Sequence, residues 1–546
     1  MSTSSPQRGA RLVEALLAAG VRHVVAAPGS RSAPLLLAAA DAERQGLLRL
    51  HVRIDERSAG YLALGLARVS GTAVAVITTS GTAAVNLHPA IVEAAYLGVP
   101  LIAVTADRPA ALRGSGANQT IDQRALFGID ASTIDLDGTS EDEFDPVIGA
   151  VTSAMAQHGP VHLNVSFGEP LVAEGEHVIR PVTTWATPPA LARARRPLVE
   201  MAGDADIRRG LLIVGDGLDD DLRGQARELA ETMGWPVISE PSGNLTETPQ
   251  SLVHGPLLLG DPTVLTEMRP DVVVSVGRIG LHRSIMRLVR EVPVHIAVDV
   301  APRRGRVDPA RTASVIVDAV PIGVTEASDP QWMNDWRRLD RARSDRVAAV
   351  LSQAPLTGPV VARILASHVD ARDLLIVGAS WPIRHLSEFG GPIRAHCLAN
   401  RGTSGIDGVV SMAWGAAVAH RAGGGARTYA LLGDLTAVYD RNGLLAPVSE
   451  PRPTLTYVVV DNDGGGIFSS LEQGAPAFAQ DFERVFGTPL SADLSVLLAA
   501  PDVEVRAVST ETELREALGP HDGVRIVVAR CVDRATENVI ADRARG

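Results

Sequence analysis

The chain has 546 residues, of which 46% are hydrophobic, and its 51 basic and 63 acidic residues give a formal net charge of −12. This length predicts about three domains, and the acidic balance argues against non-specific binding to nucleic acid. The sequence contains no lysine, which excludes a lysine-containing phosphate loop and catalysis through a lysine Schiff base.

Other features bear on where the protein works. Two cysteines, Cys397 and Cys531, support neither a disulfide framework nor a structural zinc site. Residues 1–9 are polar and do not resemble a signal peptide, and no apolar run is long enough to span a bilayer. We therefore expect a soluble cytoplasmic protein with no membrane span.

Short apolar runs alternate with amphipathic stretches in the first third of the chain, which is typical of a parallel sheet covered by helices. We predict strands at 21–27, 48–54, 73–79, 100–106 and 161–165. We predict helices at 33–45, 57–69 and 83–97. The proline- and arginine-rich residues 181–198 have no period and indicate a linker.

The same alternation recurs twice. We predict strands at 211–214, 271–276 and 294–298 in a second unit, and at 374–377, 429–432, 455–460 and 524–531 in a third. The charged segment 331–349 is predicted to be a surface helix that leads into the third unit. The sequence thus predicts an α/β fold with three doubly wound parallel-sheet domains, at residues 1–183, 199–330 and 355–546.

Two predicted strands of the third unit each end in an oxygen-bearing side chain. Asp434 follows the strand at 429–432, and Asn462 follows the strand at 455–460, just before the glycine run 464–466. Adjacent parallel strands place their carboxyl ends side by side, so we expect both side chains to face one crevice. This set suits Mg²⁺ that is also bound by phosphate oxygens, whereas helix N-caps are the simpler alternative.

The spacing of this pair resembles the thiamine-diphosphate motif, which begins with Gly-Asp and ends with an Asn nearly thirty residues later. Here the separation is 462 − 434 = 28 residues, although Leu435 replaces the commonest glycine. In that enzyme family the Asp, the Asn and one backbone carbonyl hold Mg²⁺, which holds the diphosphate. The resemblance assigns these roles to Asp434, Asn462 and the carbonyl of Gly464, and leaves Mg²⁺ or Mn²⁺ open.

The resemblance also implies a domain layout and a catalytic acid. The first domain of such enzymes binds the pyrimidine ring and the third binds the diphosphate, with each site shared between subunits of at least a dimer. Dimer and tetramer both remain open. An acid beside the pyrimidine activates the cofactor, and this role falls on Glu56, in the segment 54–57 at a strand end. An acidic first-turn residue favoured by the helix dipole is the alternative.

Four arginines follow separate strands and indicate an anionic substrate. Arg31 and Arg108 belong to the first domain, and Arg384 and Arg401 belong to the third. The guanidinium fork is well matched to carboxylates, although Pro, Gly, Ser and Asn around these positions are also ordinary loop residues.

Together these segments closely resemble the 2-succinyl-5-enolpyruvyl-6-hydroxy-3-cyclohexene-1-carboxylate synthase family of menaquinone biosynthesis. The resemblance spans nearly the whole chain and is strongest in the first and third domains. It implies a transferase that decarboxylates 2-oxoglutarate and adds the resulting succinyl-semialdehyde carbanion to isochorismate.

The resemblance implies the following site residues. Those expected to bind the cofactor are Glu56, Ser80, Ser404, Ile406, Gly433, Asp434, Leu435, Asn462, Gly464, Gly466 and Ile467. Those expected to bind the substrates are Ser30, Arg31, Arg108, Asn118, Gln119, Ser380, Arg384, Arg401, Phe468 and Leu471. Glu56 and Gln119 are the expected catalytic residues, Gln119 assisting proton transfer, and Ile406, Ile467, Phe468 and Leu471 are expected to form apolar walls.

Three alternatives remain at this point. The first is another thiamine-diphosphate-dependent 2-oxoacid decarboxylase or acetolactate-type carboligase. The second is a nicotinamide dehydrogenase, and the third is an inactive regulator with the thiamine-diphosphate enzyme fold. The turn at 28–31 lacks the Gly-x-Gly-x-x-Gly pattern of a dehydrogenase. The middle domain has arginines suited to a regulator site, although a solvated basic face is the favoured interpretation; they are Arg278, Arg283, Arg303, Arg304 and Arg306.

Overall fold

The computed structural model describes residues 4–138, 144–173, 179–180, 193–299, 307–325 and 329–546. Within these residues the strands form three sheets, and every strand pair in them is parallel. Helices flank each sheet, which confirms the predicted α/β class. The domain boundaries at 183, 199, 330 and 355 stay a prediction, and most of the predicted linker lies outside the described residues.

The first sheet has the strand order β2-β1-β3-β4-β6-β5. Its strands are β1 (His23–Ala26), β2 (Arg49–Val52), β3 (Val74–Thr78), β4 (Leu101–Asp107), β5 (Ser132–Leu136) and β6 (Val161–Ser166). Its helices are α1 (Ser5–Ala18), α2 (Ala33–Arg44), α3 (Glu56–Ser70), α4 (Thr82–Val85), α5 (His88–Leu97) and α6 (Asp145–Gln157). The prediction of a single helix at 83–97 is therefore wrong. The helix is interrupted between α4 and α5, just before Pro89, which has no amide hydrogen to bond to the preceding turn.

The middle sheet has the order β11-β10-β9-β7-β8. Its strands are β7 (Gly210–Val214), β8 (Val237–Ser239), β9 (Val272–Val276), β10 (Val294–Val298) and β11 (Val315–Val317). The helices of this region are α7 (Leu198–Ala202), α8 (Asp220–Met233), α9 (Gly255–Gly260), α10 (Pro262–Glu267), α11 (Arg283–Glu291) and α12 (Pro330–Leu351).

The third sheet has the order β13-β12-β14-β15-β17-β16, which repeats the topology of the first sheet strand for strand. Its strands are β12 (Leu374–Val377), β13 (His396–Ala399), β14 (Thr428–Gly433), β15 (Leu455–Asp461), β16 (Val503–Val508) and β17 (Val524–Arg530). Its helices are α13 (Gly358–His368), α14 (Trp381–Phe389), α15 (Val409–Ala422), α16 (Asp434–Tyr439), α17 (Ala479–Phe482), α18 (Leu494–Leu497), α19 (Glu511–Ala517) and α20 (Arg534–Arg545).

The strands that the sequence pattern missed all lie at sheet edges. They are β5, β8, β11, β13 and β16. An edge strand has one neighbour, so it is short or leaves alternate residues in solvent, as β16 does. Such strands do not form the continuous apolar runs by which buried parallel strands are found.

Helices α3 and α15 join the first domain to the third within one chain. A Cβ added at Gly65 would lie 2.0 Å from the carbonyl oxygen of Met412, and one added at Gly415 would lie 2.0 Å from that of Leu62. The two backbones therefore touch, and glycine at both positions permits this approach. Side chains of both helices share one continuous apolar core.

Two predictions for the middle of the chain are wrong. Helix α12 is not simply a surface helix, because Trp332 is 6% and Trp336 0% exposed in the core of the middle domain. Arg278 is not on a solvated face: it donates to the carbonyl oxygens of Tyr96 and Gly402 and so bridges the outer domains. Arg283 is exposed, whereas Arg303, Arg304 and Arg306 lie outside the described residues.

No helix in the part of the chain that the structure describes has the length and apolar character needed to cross a membrane.

Candidate active site

A cavity opens at the carboxyl ends of the central strands of the third sheet. Its walls come from the segments that follow β12, β14 and β15, which adjoin each other in the sheet. In the order β13-β12-β14, the chain reverses direction across the sheet between β12 and β14, and ligands of such sheets bind outside this point. Among the described residues, the lining of this cavity comes entirely from the third domain.

Asp434 is the buried acid of this cavity. It is 3% exposed, and its two carboxylate oxygens accept hydrogen bonds from the amides of Leu435 and Gly464, each at 2.6 Å. Burial raises its pKa to about 6, and the neighbouring carboxylates Asp461 and Asp463 act in the same direction against the two amides. A buried acid among like charges favours binding of a cation.

The N-cap alternative does not hold for either residue of the pair. Helix α16 has Gly433, which has no side chain, at its N-cap, and Asp434 is the first helical residue. Asn462 follows β15, and the next helical segment, Gly466–Ser470, has Gly465 at its N-cap. Both side chains instead line the cavity, as the sequence predicted.

Asn462 is held by a residue far away in sequence. Its side chain is 7% exposed, and its Nδ2 donates to Oε1 of Glu537 on α20 at 3.0 Å. Glu537 is 2% exposed, and its other oxygen accepts the amide of Gly358 at 2.6 Å. With Nδ2 engaged in this way, Oδ1 is the amide atom that Asn462 offers to the cavity.

The glycine run beside Asn462 forms the tight floor of the cavity. Gly464 has φ +109°, and a Cβ there would lie 2.1 Å from the carbonyl oxygen of Gly487. Only glycine fits at this position. Its carbonyl oxygen accepts the amide of Gly466 at 2.8 Å, so its predicted role as a metal ligand stays a prediction.

These residues fit a divalent cation that carries a diphosphate. The predicted ligand set contains one carboxylate, one amide oxygen and one carbonyl. The described residues contain no group of three His, Cys, Asp or Glu side chains placed to hold a metal by themselves. Such a set leaves coordination positions for phosphate oxygens, which is how Mg²⁺ is usually bound.

Apolar and aromatic side chains make up much of the remaining wall. Ile406, Ile467 and Phe468 line the cavity, as expected. Trp381 and His385, which the sequence reasoning did not include, also line it and stack with ring centroids 4.9 Å apart. Burial lowers the pKa of His385 to about 3, with the arginines Arg545 and Arg384 acting in the same direction, so its ring is neutral near pH 7.

A second cavity adjoins the first and shares Trp381 and Ile467 with it. It is lined by Leu471 and by several arginines, including Arg384, whose Nη1 donates to the carbonyl oxygen of Ser380 at 2.9 Å. Burial and the nearby Arg401 lower the pKa of Arg384. Two guanidinium groups held near each other in a partly buried site favour binding of a carboxylate between or beside them.

The loop that follows β13 carries Arg401 and Ser404. Arg401 is 8% exposed and donates to Oγ of Ser404 at 2.9 Å. Glu93 of helix α5 accepts hydrogen bonds from the amides of Gly402 and Thr403 at 2.8 and 2.7 Å and so fixes the loop from the first domain. No local pattern in the sequence identified Glu93, because its partners lie 309 and 310 residues away.

The predicted residues of the first domain form a separate group. The guanidinium of Arg108 donates to Oγ of Ser80 and, at 2.9 Å, to the carbonyl oxygen of Gln119. The Gln119 side chain in turn donates to the carbonyl oxygen of Ser80 at 3.0 Å. Burial and Arg31 lower the pKa of Arg108. This group resembles the third-domain arginines in having two cations close together.

Glu56 lies apart from the cavity in the single chain. It is the first residue of α3 and is half-buried, with Asp55 as the N-cap accepting from the amides of Arg57 and Ser58. Glu56 does not line the Asp434 cavity. Ser30, Asn118 and Gln119 are exposed. The structure therefore brings Ser80, Arg108 and Gln119 together on the first domain and Asp434 and Asn462 together on the third, and Glu56 lies outside the third-domain cavity.

Three of the expected site residues have an unusual backbone. Ser380, Ser404 and Gln119 have φ values of +71°, +60° and +54°, a region that residues other than glycine rarely occupy. Such conformations persist only where surrounding contacts impose them, and they concentrate at functional sites.

Comparison with known proteins identifies the family of the chain. Residues 7–126 match the family model described as "Thiamine pyrophosphate enzyme, N-terminal TPP binding domain". Proteins named 2-succinyl-5-enolpyruvyl-6-hydroxy-3-cyclohexene-1-carboxylate synthase are similar over nearly the full length. The protein from Thermobifida fusca is 43% identical over 96% of this chain and 95% of its own. That from Saccharopolyspora erythraea is 40% identical over 97% of this chain and 96% of its own.

A third relative, from a Nocardioides species, is 41% identical over 95% of this chain and 94% of its own. Identity at this level over nearly the full length of each chain extends well beyond residues 7–126. The chain therefore belongs to the 2-succinyl-5-enolpyruvyl-6-hydroxy-3-cyclohexene-1-carboxylate synthase family of thiamine-diphosphate-dependent enzymes.

Proposed function

We propose that this protein decarboxylates 2-oxoglutarate and joins the resulting four-carbon unit to isochorismate, using thiamine diphosphate and Mg²⁺ or Mn²⁺. The product is 2-succinyl-5-enolpyruvyl-6-hydroxy-3-cyclohexene-1-carboxylate, in menaquinone biosynthesis. The observation that carries this proposal is the cavity with Asp434 and Asn462 at the point where the third sheet reverses direction. Similarity over the full chain to proteins of that name supports the substrate assignment.

The third domain holds the charged end of the cofactor. Asp434 and the Oδ1 of Asn462 bind the metal together with the carbonyl of Gly464, and the glycine backbone lets the diphosphate approach closely. When bound, thiamine diphosphate supplies a nucleophilic carbon and accepts the electrons released by loss of carbon dioxide. Ile406 and Ile467 exclude water from this region, which favours the loss of carboxylate charge.

Glu56 holds a proton at the pyrimidine end of the cofactor. With the cofactor bound, this carboxyl group would donate a hydrogen bond to a ring nitrogen and so favour activation of the cofactor. Gln119 assists proton transfer after the addition step. Its side-chain amide is held by the hydrogen bond that it donates to the carbonyl oxygen of Ser80.

The arginines bind the dianionic substrates. Two arginine pairs lie on the outer domains, Arg384 with Arg401 on the third and Arg31 with Arg108 on the first. Each pair can bind a substrate carboxylate through two guanidinium groups. Ser30, Asn118 and Ser380 add polar contacts. Phe468 and Leu471 pack on the carbon skeleton.

We further propose that a complete site needs two copies of the chain. The half-buried Glu56 and the exposed Asn118 and Gln119 belong to one copy, and the Asp434 cavity belongs to the other. The minimum active unit is then a homodimer, and a tetramer would contain two such pairs. Location in the cytoplasm and the absence of nucleic-acid partners stay predictions.

A substrate test distinguishes this function from its alternatives. The protein is incubated with thiamine diphosphate, Mg²⁺ and 2-oxoglutarate, with and without isochorismate, and the loss of each substrate is followed. We expect consumption of both substrates in equal amounts when they are present together. Consumption of pyruvate in place of 2-oxoglutarate would instead support another decarboxylase or carboligase of the same fold.

Two further outcomes would contradict the proposal. NADH oxidation without thiamine diphosphate would indicate a dehydrogenase, against which family membership already argues. No turnover of any 2-oxo acid, with tight cofactor binding, would indicate an inactive regulator.

A further inference from the structure

We propose that Glu537 is a positioning residue that fixes the orientation of the Asn462 amide, so that its oxygen and not its nitrogen faces the metal. This inference rests on the proposed function, in which Asn462 binds the metal. No local pattern in the sequence identifies Glu537, since it lies 75 residues after Asn462 and on a different element, α20.

The hydrogen bonds of Glu537 define its role. Its Oε2 accepts the backbone amide of Gly358 at 2.6 Å, and a backbone N–H can only donate. Its Oε1 accepts Nδ2 of Asn462 at 3.0 Å. The NH₂ group of Asn462 is therefore the end of the amide that faces Glu537, and Oδ1 is the end that remains for the metal.

The orientation of Asn462 matters because its two ends differ in charge. The amide oxygen is a ligand that Mg²⁺ prefers, whereas the NH₂ group has no lone pair to offer and repels a cation. An asparagine without a partner on one side can rotate by half a turn at little cost. A buried acceptor behind Nδ2 removes that freedom.

Glu537 is itself well fixed. It is 2% exposed in the first turn of α20, a helix that begins at the N-cap Asp533. Gly358, its second partner, is the first residue of α13 and lines the Asp434 cavity. Glu537 therefore links three separate segments around the metal ligand, as outer-shell partners of metal ligands commonly do.

The variant Glu537→Gln tests this role with almost no change of shape. The introduced glutamine can accept from Gly358 only if its NH₂ group faces Asn462, and the Asn462 amide must then turn its oxygen away from the metal. We expect the Mg²⁺ concentration for half-saturation of thiamine-diphosphate binding to rise about tenfold to a hundredfold. Isothermal titration calorimetry at several Mg²⁺ concentrations measures this without any turnover.

Glu240→Gln is the matched control. Glu240 is also a buried glutamate, 1% exposed, and accepts two backbone amides, those of Gly280 and Leu281, at 2.9 and 2.8 Å. It belongs to the middle domain and does not line the Asp434 cavity. We expect the Mg²⁺ dependence of cofactor binding to match that of the parent protein, whatever the change in melting temperature.

A reciprocal exchange separates positioning from a general loss of structure. In the double variant Asn462→Asp with Glu537→Gln, the NH₂ group of the introduced glutamine donates to the introduced aspartate, while the glutamine oxygen still accepts from Gly358. The metal again meets an oxygen. We expect the double variant to bind Mg²⁺ and cofactor more tightly than either single variant, because Asn462→Asp alone places two carboxylates in contact.

Equal Mg²⁺ dependence for the parent, Glu537→Gln and Glu240→Gln would overturn the role of Glu537 while leaving the proposed function intact. A double variant no better than Glu537→Gln would also overturn it. Absence of Mg²⁺-dependent cofactor binding by the parent protein would overturn the proposed function together with this inference. Melting curves without Mg²⁺ and cofactor establish that each variant is folded.

Discussion

The first and third domains have the same strand order, but different residue types follow their equivalent strands. The third strand is followed by Ser80 in the first domain and by Asp434 in the third. The fourth strand is followed by Arg108 in the first domain and by Asn462 in the third. One topology thus supplies the same set of positions twice, and the residue at each strand end decides what is bound there.

The two domains also differ in how complete their halves of the site are. Asp434 and Asn462 are buried within a single chain, each with hydrogen bonds that fix its orientation. Glu56 is half-buried, and Asn118 and Gln119 are exposed. The proposed metal half, Asp434 and Asn462, is therefore held in place within one chain. The proposed pyrimidine half, Glu56 with Asn118 and Gln119, is partly open to solvent.

The largest expected effect is on the pyrimidine half. We expect Glu56→Gln to lower kcat by about a hundredfold to ten-thousandfold, because glutamine cannot hold or release the proton that activates the cofactor. Cofactor affinity should change little. Steady-state turnover and calorimetric binding of thiamine diphosphate check the two expectations separately.

Glu43→Gln serves as its control. Glu43 is a glutamate of the same domain whose carboxylate accepts the amide of Leu50 at the surface. A Glu56→Gln enzyme as fast as the Glu43→Gln enzyme would show that the activating acid lies elsewhere.

The metal half should respond in binding as well as in rate. We expect Asp434→Asn to weaken Mg²⁺-dependent binding of thiamine diphosphate by about a hundredfold, since it removes the charge that a hard cation requires. Titration calorimetry with and without Mg²⁺ measures the change. Unaltered affinity would mean that the cofactor's diphosphate is not bound at this cavity.

The raised pKa of Asp434 predicts opposite pH effects with and without ligand. A carboxyl whose pKa rises from 3.8 to about 6 on folding favours the folded state while protonated, and this contribution is lost as pH rises through about 6. The metal requires the ionised form, so cofactor affinity should fall about tenfold per pH unit below pH 6.

Melting curves and titrations from pH 5 to 7 test both signs. The metal-free protein should lose stability over this range while affinity for Mg²⁺ and cofactor increases. Asp440 is also buried with a pKa raised to about 6, so the Asp434 contribution is the difference between the parent and Asp434→Asn. Identical pH dependence of the two proteins would contradict the assignment.

The smallest expected effect is a partial recovery of activity, which tests whether the metal half and the pyrimidine half of one site come from different copies of the chain. A mixture of Glu56→Gln and Asp434→Asn chains, co-expressed so that they assemble together, should recover about a quarter of the parent activity, since half the dimers are mixed and each has one intact site. Activity no greater than that of the separate variants would show that each chain contains its own complete site. Glu56→Gln co-expressed with itself is the control.

The sequence predicted the central strands well and the edges poorly. The bounds of β10 and β12 agree with the predicted 294–298 and 374–377, because β12 is buried and apolar throughout and β10 is largely so. Edge strands such as β5 and β16 leave residues in solvent and have no such run. The burial of Trp332 and Trp336 was also missed, since a charged helix can bury a narrow aromatic face.

Much of the candidate site followed from order along the chain alone. The ends of β14 and β15 carry Asp434 and Asn462, and parallel pairing of adjacent strands brings them to one edge of the sheet. This inference needs only the alternation of strand and helix and the two residue types. The glycine run after β15 is also visible in the sequence, although the close approach that requires glycine at Gly464 comes from the carbonyl oxygen of Gly487, a residue of another segment.

Contacts across long sequence separations were decided only by the tertiary structure. The packing of α20 brings Glu537 to Asn462, and the packing of α5 against the loop after β13 brings Glu93 to Gly402. The positive φ of Ser380 is likewise not indicated by its residue type. Residue types and strand order therefore determined which chemical groups the site contains. Their orientation depended on partners that only the packing of distant elements brings into hydrogen-bond distance, and no local pattern encodes that packing.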